Sequence, residues 1–172
     1  MGQKVNPISM RLQVNKDWRS KWFANKKEYA LYLKQDLAAR RLIIDKLGSR
    51  AAISKVDIER SPNLVSVTIQ TAKAGVVIGR GGAGAAELKN QIEKLYGVPV
   101  RVNVEEIKRP ELQAKLVAEN IAHQLERRIA FRRAVKSTAA ATMRAGAKGV
   151  IIEISGRLGG NEMSRREKDV QG

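Results

Sequence analysis

The residues best placed to do chemistry are the glycines between 79 and 84 and a block of cations between 127 and 148. Gly79, Gly81 and Gly84 satisfy G-x-G-x-x-G, the spacing that lets a backbone approach a dinucleotide pyrophosphate. A strand at Val76-Val77-Ile78, a helix from Ala83 and an acid at Glu105 or Glu106 would complete that context, and an NAD(P)-dependent enzyme would follow. The same stretch satisfies G-x-x-G as Gly79-Arg80-Gly81-Gly82, a loop that clamps a short nucleic-acid backbone, with Arg80 meeting phosphate. It could also be a turn without a ligand. The second feature is a run of seven basic residues and no acidic one: Arg127, Arg128, Arg132, Arg133, Lys136, Arg144 and Lys148. Arg128, Arg132 and Lys136 are spaced i, i+4, i+8, one face of a continuous helix. There, like charges repel by a few tenths of a kcal/mol per pair. A polyanion turns that repulsion into attraction; a solvated face is the plainer alternative.

Other chemistry is poorly provided for. The chain has no cysteine, so thiolate catalysis and thiolate zinc sites are excluded, and its one histidine, His123, reads as structural. Glu105 and Glu106 are adjacent in an expected strand and point to opposite faces, so they cannot act as paired carboxylates. No cofactor or metal is expected. No G-x-x-x-x-G-K-[ST] phosphate loop is present.

The elements that must position these residues can be read from periodicity. Residues 1–16 lack any sustained period and read as an extended basic arm. Glu28 to Lys46 carries a helical apolar pattern that stops at Gly48. Ile53 to Glu59 and Leu64 to Gln70 alternate as strands around the turn Ser61-Pro62-Asn63, a hairpin. Ala72 to Ile78 is ambiguous between helix and strand. Ala83 to Tyr96 reads as a helix closed by Gly97, and Val100 to Ile107 as a third strand. After the basic, proline-closed link Lys108-Arg109-Pro110, Glu111 to Ile129 and Phe131 to Ala145 read as helices, and Val150 to Ser155 as a strand without an evident partner. The expected class is α+β: an arm and first-helix start at 1–38, an α-β-β-α-α-β domain at 39–108, and a C-terminal α/β domain at 109–172. The Rossmann reading needs further βα units after its first, and a long basic helical region stands there instead. The α-β-β-α-α-β order is that of a type II KH fold.

Across 172 residues, 33 Lys and Arg stand against 17 Asp and Glu, a net charge of +16 that calls for a polyanionic partner. The excess is uneven. Residues 1–50 hold 12 basic and 4 acidic residues, 51–100 hold 6 and 4, and 101–172 hold 15 and 9. Lys4, Arg11, Lys16, Arg19 and Lys21 make the arm a candidate RNA contact, with Arg128, Arg144 and Lys148 as further contacts. Trp18, Trp22 and Phe23 could stack bases, or anchor the arm to its own domain or a neighbour. No apolar targeting segment or membrane span is evident, so a cytoplasmic location is expected.

MGQKVNP, Ser20-Lys21-Trp22-Phe23-Ala24, GVVIGRGG, LVAENIAHQLERRIAFRRAVK and SGRLGG together resemble the bacterial-type small-subunit ribosomal protein S-three family, from Met1 to Gly172. The loop carries one basic residue, Arg80, where many relatives carry two. That resemblance implies a type II KH domain and a structural, non-enzymatic role in the small ribosomal subunit, bound to ribosomal RNA in the head. It implies that Arg132, Arg133 and Lys136 hold messenger RNA where it enters. The implied neighbours are the small-subunit proteins S-ten, S-fourteen, S-four and S-five, on a cytoplasmic or organellar ribosome. Members continue with further strands, so the resemblance also implies a C-terminal domain cut short. A free-standing RNA chaperone is the alternative within RNA binding.

Overall fold

The computed structural model describes residues 2–172. The chain divides between Glu106 and Ile107 into two compact units. In the first, a four-residue helical turn α1 (Pro7–Met10) and a two-residue strand β1 (Ser20–Lys21) precede the long helix α2 (Lys26–Leu47). Strands β2 (Ile53–Ser61) and β3 (Leu64–Thr71) form the hairpin, followed by α3 (Ala74–Ile78), α4 (Ala83–Tyr96) and β4 (Val100–Glu106). From α2 onward this is the α-β-β-α-α-β order.

The sheet order is β1-β2-β3-β4, with β2 antiparallel to β3 and the outer pairs parallel. Its inner face is set by period-2 alternation: Val56 and Ile58 on β2, and Val65, Val67 and Ile69 on β3, are buried. Ala39 and Ile43 of α2 and Leu88 and Ile92 of α4 close over them as one core. Burying each of the Val, Ile and Leu side chains among them contributes about 1.5–3 kcal/mol.

Two expectations about the arm and the loop need correction. The arm is not extended throughout. Asn6 caps α1 by accepting from the Ile8 N–H at 2.9 Å, with Pro7 preset for the first helical position. Farther on, the Ile58 N–H donates to the Arg19 carbonyl at 2.9 Å, so the arm ends as an edge strand of the sheet. Val76-Val77-Ile78, the strand that the dinucleotide reading requires, belongs to helix α3.

The second unit contains α5 (Ala114–Glu126), α6 (Phe131–Arg144), β5 (Val150–Gly156) and β6 (Arg165–Gln171). Ile121, Val135, Ala139 and Ile152 form its core. Strand β5 does have a downstream partner: β6 pairs with it antiparallel, from Val150↔Gln171 to Gly156↔Arg165. Arg166, Lys168 and Glu167 make β6 a polar strand, which hides it from any apolar pattern. Among the described residues no helix is long and apolar enough to cross a membrane.

Candidate nucleic-acid interface

The loop between α3 and α4 is built by glycine stereochemistry. Gly79 ends α3 at φ +71°, its N–H donating to the Gly75 carbonyl at 3.0 Å. Gly81 and Gly82 follow at φ +60° and +82°, in the left-handed region that side chains avoid. Arg80 is therefore the one residue of the loop with a side chain, and it is exposed, with no ion-pair partner among the described residues. Gly84 has a different task. A Cβ there would lie 2.9 Å from the Val77 carbonyl oxygen and 3.1 Å from that of Ile78. It lets α4 begin against the end of α3, so the third glycine of the fingerprint serves packing. With no strand before the loop, the dinucleotide-enzyme reading fails. Helix α4 starts at Gly82 without a side-chain cap. The Ala83 N–H bonds back to the Arg80 carbonyl, so the positive end of the helix dipole follows directly on Arg80, a setting that favours phosphate.

The basic block divides where the chain breaks. Helix α5 ends at Glu126, Arg128 takes φ +61°, and α6 begins at Phe131. Arg128 therefore does not share a helix face with Arg132 and Lys136, contrary to the spacing argument. Arg132, Arg133 and Lys136 do share the first turns of α6, all exposed. They oppose the buried row Ala134, Val135, Thr138, Ala139 and Thr142. Arg144 sits in the last turn, about 18 Å along the axis at 1.5 Å per residue, and Lys148 lies beyond it. These two are not brought to the other three.

The three clustered cations differ in their surroundings. The Arg132 guanidinium lies 3.6 Å from the Glu167 carboxylate, which Arg165 also approaches at 3.2 Å. Both guanidinium groups lie against the Phe131 ring, at 5.7 and 5.6 Å from its centroid. Arg133 and Lys136 have no ion-pair partner among the described residues. Helix α6 has no side-chain cap and no acid in its first turn, so two arginines stand at the positive end of its dipole. Sequence reasoning missed Phe131, Arg165 and Glu167. The last two reach this surface through β6, and the signal for them was the Arg165-Arg166-Glu167-Lys168 run after a strand that lacked a partner.

The arm residues are also unlike one another. Lys4, Lys16 and Arg19 are exposed and have no ion-pair partner among the described residues, whereas Arg11 donates to the Pro7 carbonyl at 2.9 Å. Lys21 bridges Asp17 at 2.7 Å and Glu59 at 3.3 Å, so its charge is already answered. Its hydrogen bond to Asp17 raises the Lys21 pKa and lowers that of Asp17.

Trp22 anchors the arm to its own domain, while Trp18 and Phe23 stay exposed. The Trp22 indole N–H donates to Asp36 Oδ2 at 2.8 Å, and the Ser20 hydroxyl to the same oxygen at 2.9 Å. Arg60 binds Asp36 Oδ1 through Nε at 3.0 Å and through a terminal nitrogen at 2.6 Å, and the Tyr96 hydroxyl donates to it at 3.1 Å. Asp36 is fully buried. Burial, and after it the Asp36 charge, raise the pKa of the Tyr96 phenol. The sequence signal for this hub was one acid on the buried face of α2, in step with Ala39 and Ile43.

Comparison with known proteins bears on this arrangement. Residues 40–112 match the family model of the KH domain, and residues 121–172 match that of ribosomal protein S3, C-terminal domain. The chain is 58% identical over 167 residues to the small ribosomal subunit protein uS3 of Finegoldia magna, covering 97% of this chain and 68% of that protein. It is 52% identical to that of Shouchella clausii over 172 residues, covering 100% of this chain and 78% of the relative. The chain belongs to the ribosomal protein S3 family. The uS3 of Streptococcus mutans is 53% identical over 97% of this chain and 76% of its own length. Family membership makes this a structural ribosomal protein, with a KH domain in its first unit, and not an enzyme.

Proposed function

We infer that the chain is a structural component of the small ribosomal subunit. Its arm and KH loop bind ribosomal RNA in the head, and Arg132, Arg133 and Lys136 hold messenger RNA where it enters. The observation that carries the second role is the start of α6. Two arginines and a lysine share an uncapped, acid-free N-terminus, an arrangement that costs the free helix stability and suits phosphate oxygens. In the KH loop, Gly79, Gly81 and Gly82 admit a backbone closely while Arg80 supplies the charge. Lys4, Arg11, Lys16, Arg19 and Lys21 in the arm, with Arg128, Arg144 and Lys148 elsewhere, add positioning contacts. Lys21 contributes least because Asp17 and Glu59 hold it.

The chain has no nucleotide-hydrolysis loop, so the force that opens messenger duplexes comes from translocation by the larger machine. This surface holds the opened strand by its phosphates. The neighbours in this reading are S-ten and S-fourteen at the head, and S-four and S-five across the opening.

Replacing Arg132, Arg133 and Lys136 together with Ala should slow translation through structured messenger and spare unstructured messenger. Equal rates on both templates for both ribosome types would refute the assigned role. Sucrose-gradient sedimentation of a cell extract separates the ribosomal reading from a free RNA chaperone. The first requires the chain in the small-subunit peak; the second leaves it near the top.

A further inference from the structure

Helix α2 is apolar on two faces, and only one of them meets the core. Asp36, Ala39 and Ile43 point inward. On another flank Leu33, Leu37 and Ile44 are 40%, 47% and 48% exposed. With exposed Ala30 they fall at heptad positions: Ala30, Leu37 and Ile44 at a, and Leu33 at d, while Arg40 at the next d position turns away to the Arg19 carbonyl and the Ser20 hydroxyl. Beside this seam, at the three successive e positions, stand Lys27, Lys34 and Arg41. All three are exposed, and none has an ion-pair partner among the described residues. The g positions, Tyr29, Asp36 and Ile43, turn toward the Trp22 contact and the core.

We propose that this flank of α2 docks an amphipathic helix of a partner protein, with an apolar seam bordered by acidic residues. The basic row selects that occupant. Phosphates would answer Lys27, Lys34 and Arg41 but would leave Leu33, Leu37 and Ile44 in water. A second copy of this chain fits poorly. In an antiparallel pairing its e row would face the same cations, and in a parallel one its g positions are committed to its own core. A helix with Leu opposite the seam and Glu opposite the row buries the apolar side chains and pairs the charges together. Buried apolar area then supplies affinity, and the charges supply specificity and register.

The test uses the full chain and a labelled synthetic heptad peptide of about the length of α2. The peptide carries Leu at a and d and Glu at e and g, so its own charges oppose self-association. A matched peptide carries Lys in place of Glu. Fluorescence anisotropy should show saturable binding of the Glu peptide and at least about tenfold weaker binding of the Lys peptide. The variant Lys27→Glu/Lys34→Glu/Arg41→Glu should reverse that preference, and Leu37→Asp should abolish binding of both peptides. Circular dichroism checks that these exposed substitutions leave the helix content unchanged. Equal binding of the two peptides, binding of neither, or a preference that survives the charge reversal overturns the proposal. So does the outcome in which a short oligouridylate binds in their place and is lost in the triple variant, which would assign the flank to RNA.

Discussion

Asp36 concentrates more of the first unit's polar chemistry than any other described side chain. Its two oxygens receive Ser20, Trp22, Arg60 and Tyr96, joining the arm, α2, β2 and α4 at one point. Arg60 in turn lies over the Tyr32 and Tyr96 rings at 4.4 and 4.5 Å. A buried ion pair gains little over a well-packed apolar pair, yet removing one partner leaves the other charged and unsolvated. Asp36→Ala should therefore cost about 3–5 kcal/mol in urea unfolding. In a Trp18→Phe background, it should also shift the Trp22 emission to the red as the arm loosens. Asp36→Leu/Arg60→Met should recover part of that loss; equal losses for the single and double variants would count against a coupled hub. Tyr96 gives the hub a pH signature. Burial and the neighbouring carboxylate raise its folded pKa above the ordinary 10.0, so the phenol's contribution is complete below that value and falls as pH rises past it. The stability advantage of the wild type over Tyr96→Phe should hold at neutral pH and shrink above pH 10. An unchanged gap would contradict the assignment.

At the scale of elements, the three nearby glycines of the KH segment make separable demands. Gly84→Ala forces a Cβ to within 2.9 Å of a carbonyl oxygen of α3 and should cost about 1–3 kcal/mol as overpacking. Gly81→Ala meets open space but must hold φ +60°, at a cost of about 1–2 kcal/mol. Gly75→Ala meets neither obstacle and should be neutral or slightly stabilising. Urea midpoints for the series give the order, and a destabilised Gly75→Ala would undo the argument. Where the core imposes a period, the elements were legible in the sequence. Strands β2 and β3 alternate because one face is buried, and α4 runs from Ala83 to Tyr96 between glycines. Legibility failed where local chemistry decides without a core. Strand β6 has one apolar residue, Val170, because every one of its residues is exposed or only half-buried. The break between α5 and α6 has no Gly or Pro, and Arg128 itself takes the left-handed turn. The hub was invisible as a unit because Asp36 and Arg60 are 24 residues apart and meet only through the fold.

Across the whole molecule, the +16 charge is less informative than how much of it is unanswered. Lys21, Lys46 and Lys55 face carboxylates, whereas Arg80, Arg133 and Lys136 meet none among the described residues. Counterion release rewards only the contacts made with phosphate, so the salt dependence of RNA binding counts the free cations rather than the net charge. The cluster on α6 allows that distinction to be tested within one helix turn. Arg132 shares Glu167 with Arg165, while Arg133 beside it has no acidic partner among the described residues. Arg133→Ala should therefore lower the salt slope for a single-stranded RNA by about 0.7, the full value for one contact. Arg132→Ala should lower it less. Glu167→Gln should act in the opposite direction, strengthening binding and steepening the slope, because it releases Arg132 and Arg165 together. Filter binding across a salt series reads all three. Identical slopes for the two arginine variants, with no gain from Glu167→Gln, would mean that Glu167 does not restrain Arg132 in solution and that the α6 surface acts as undifferentiated positive charge.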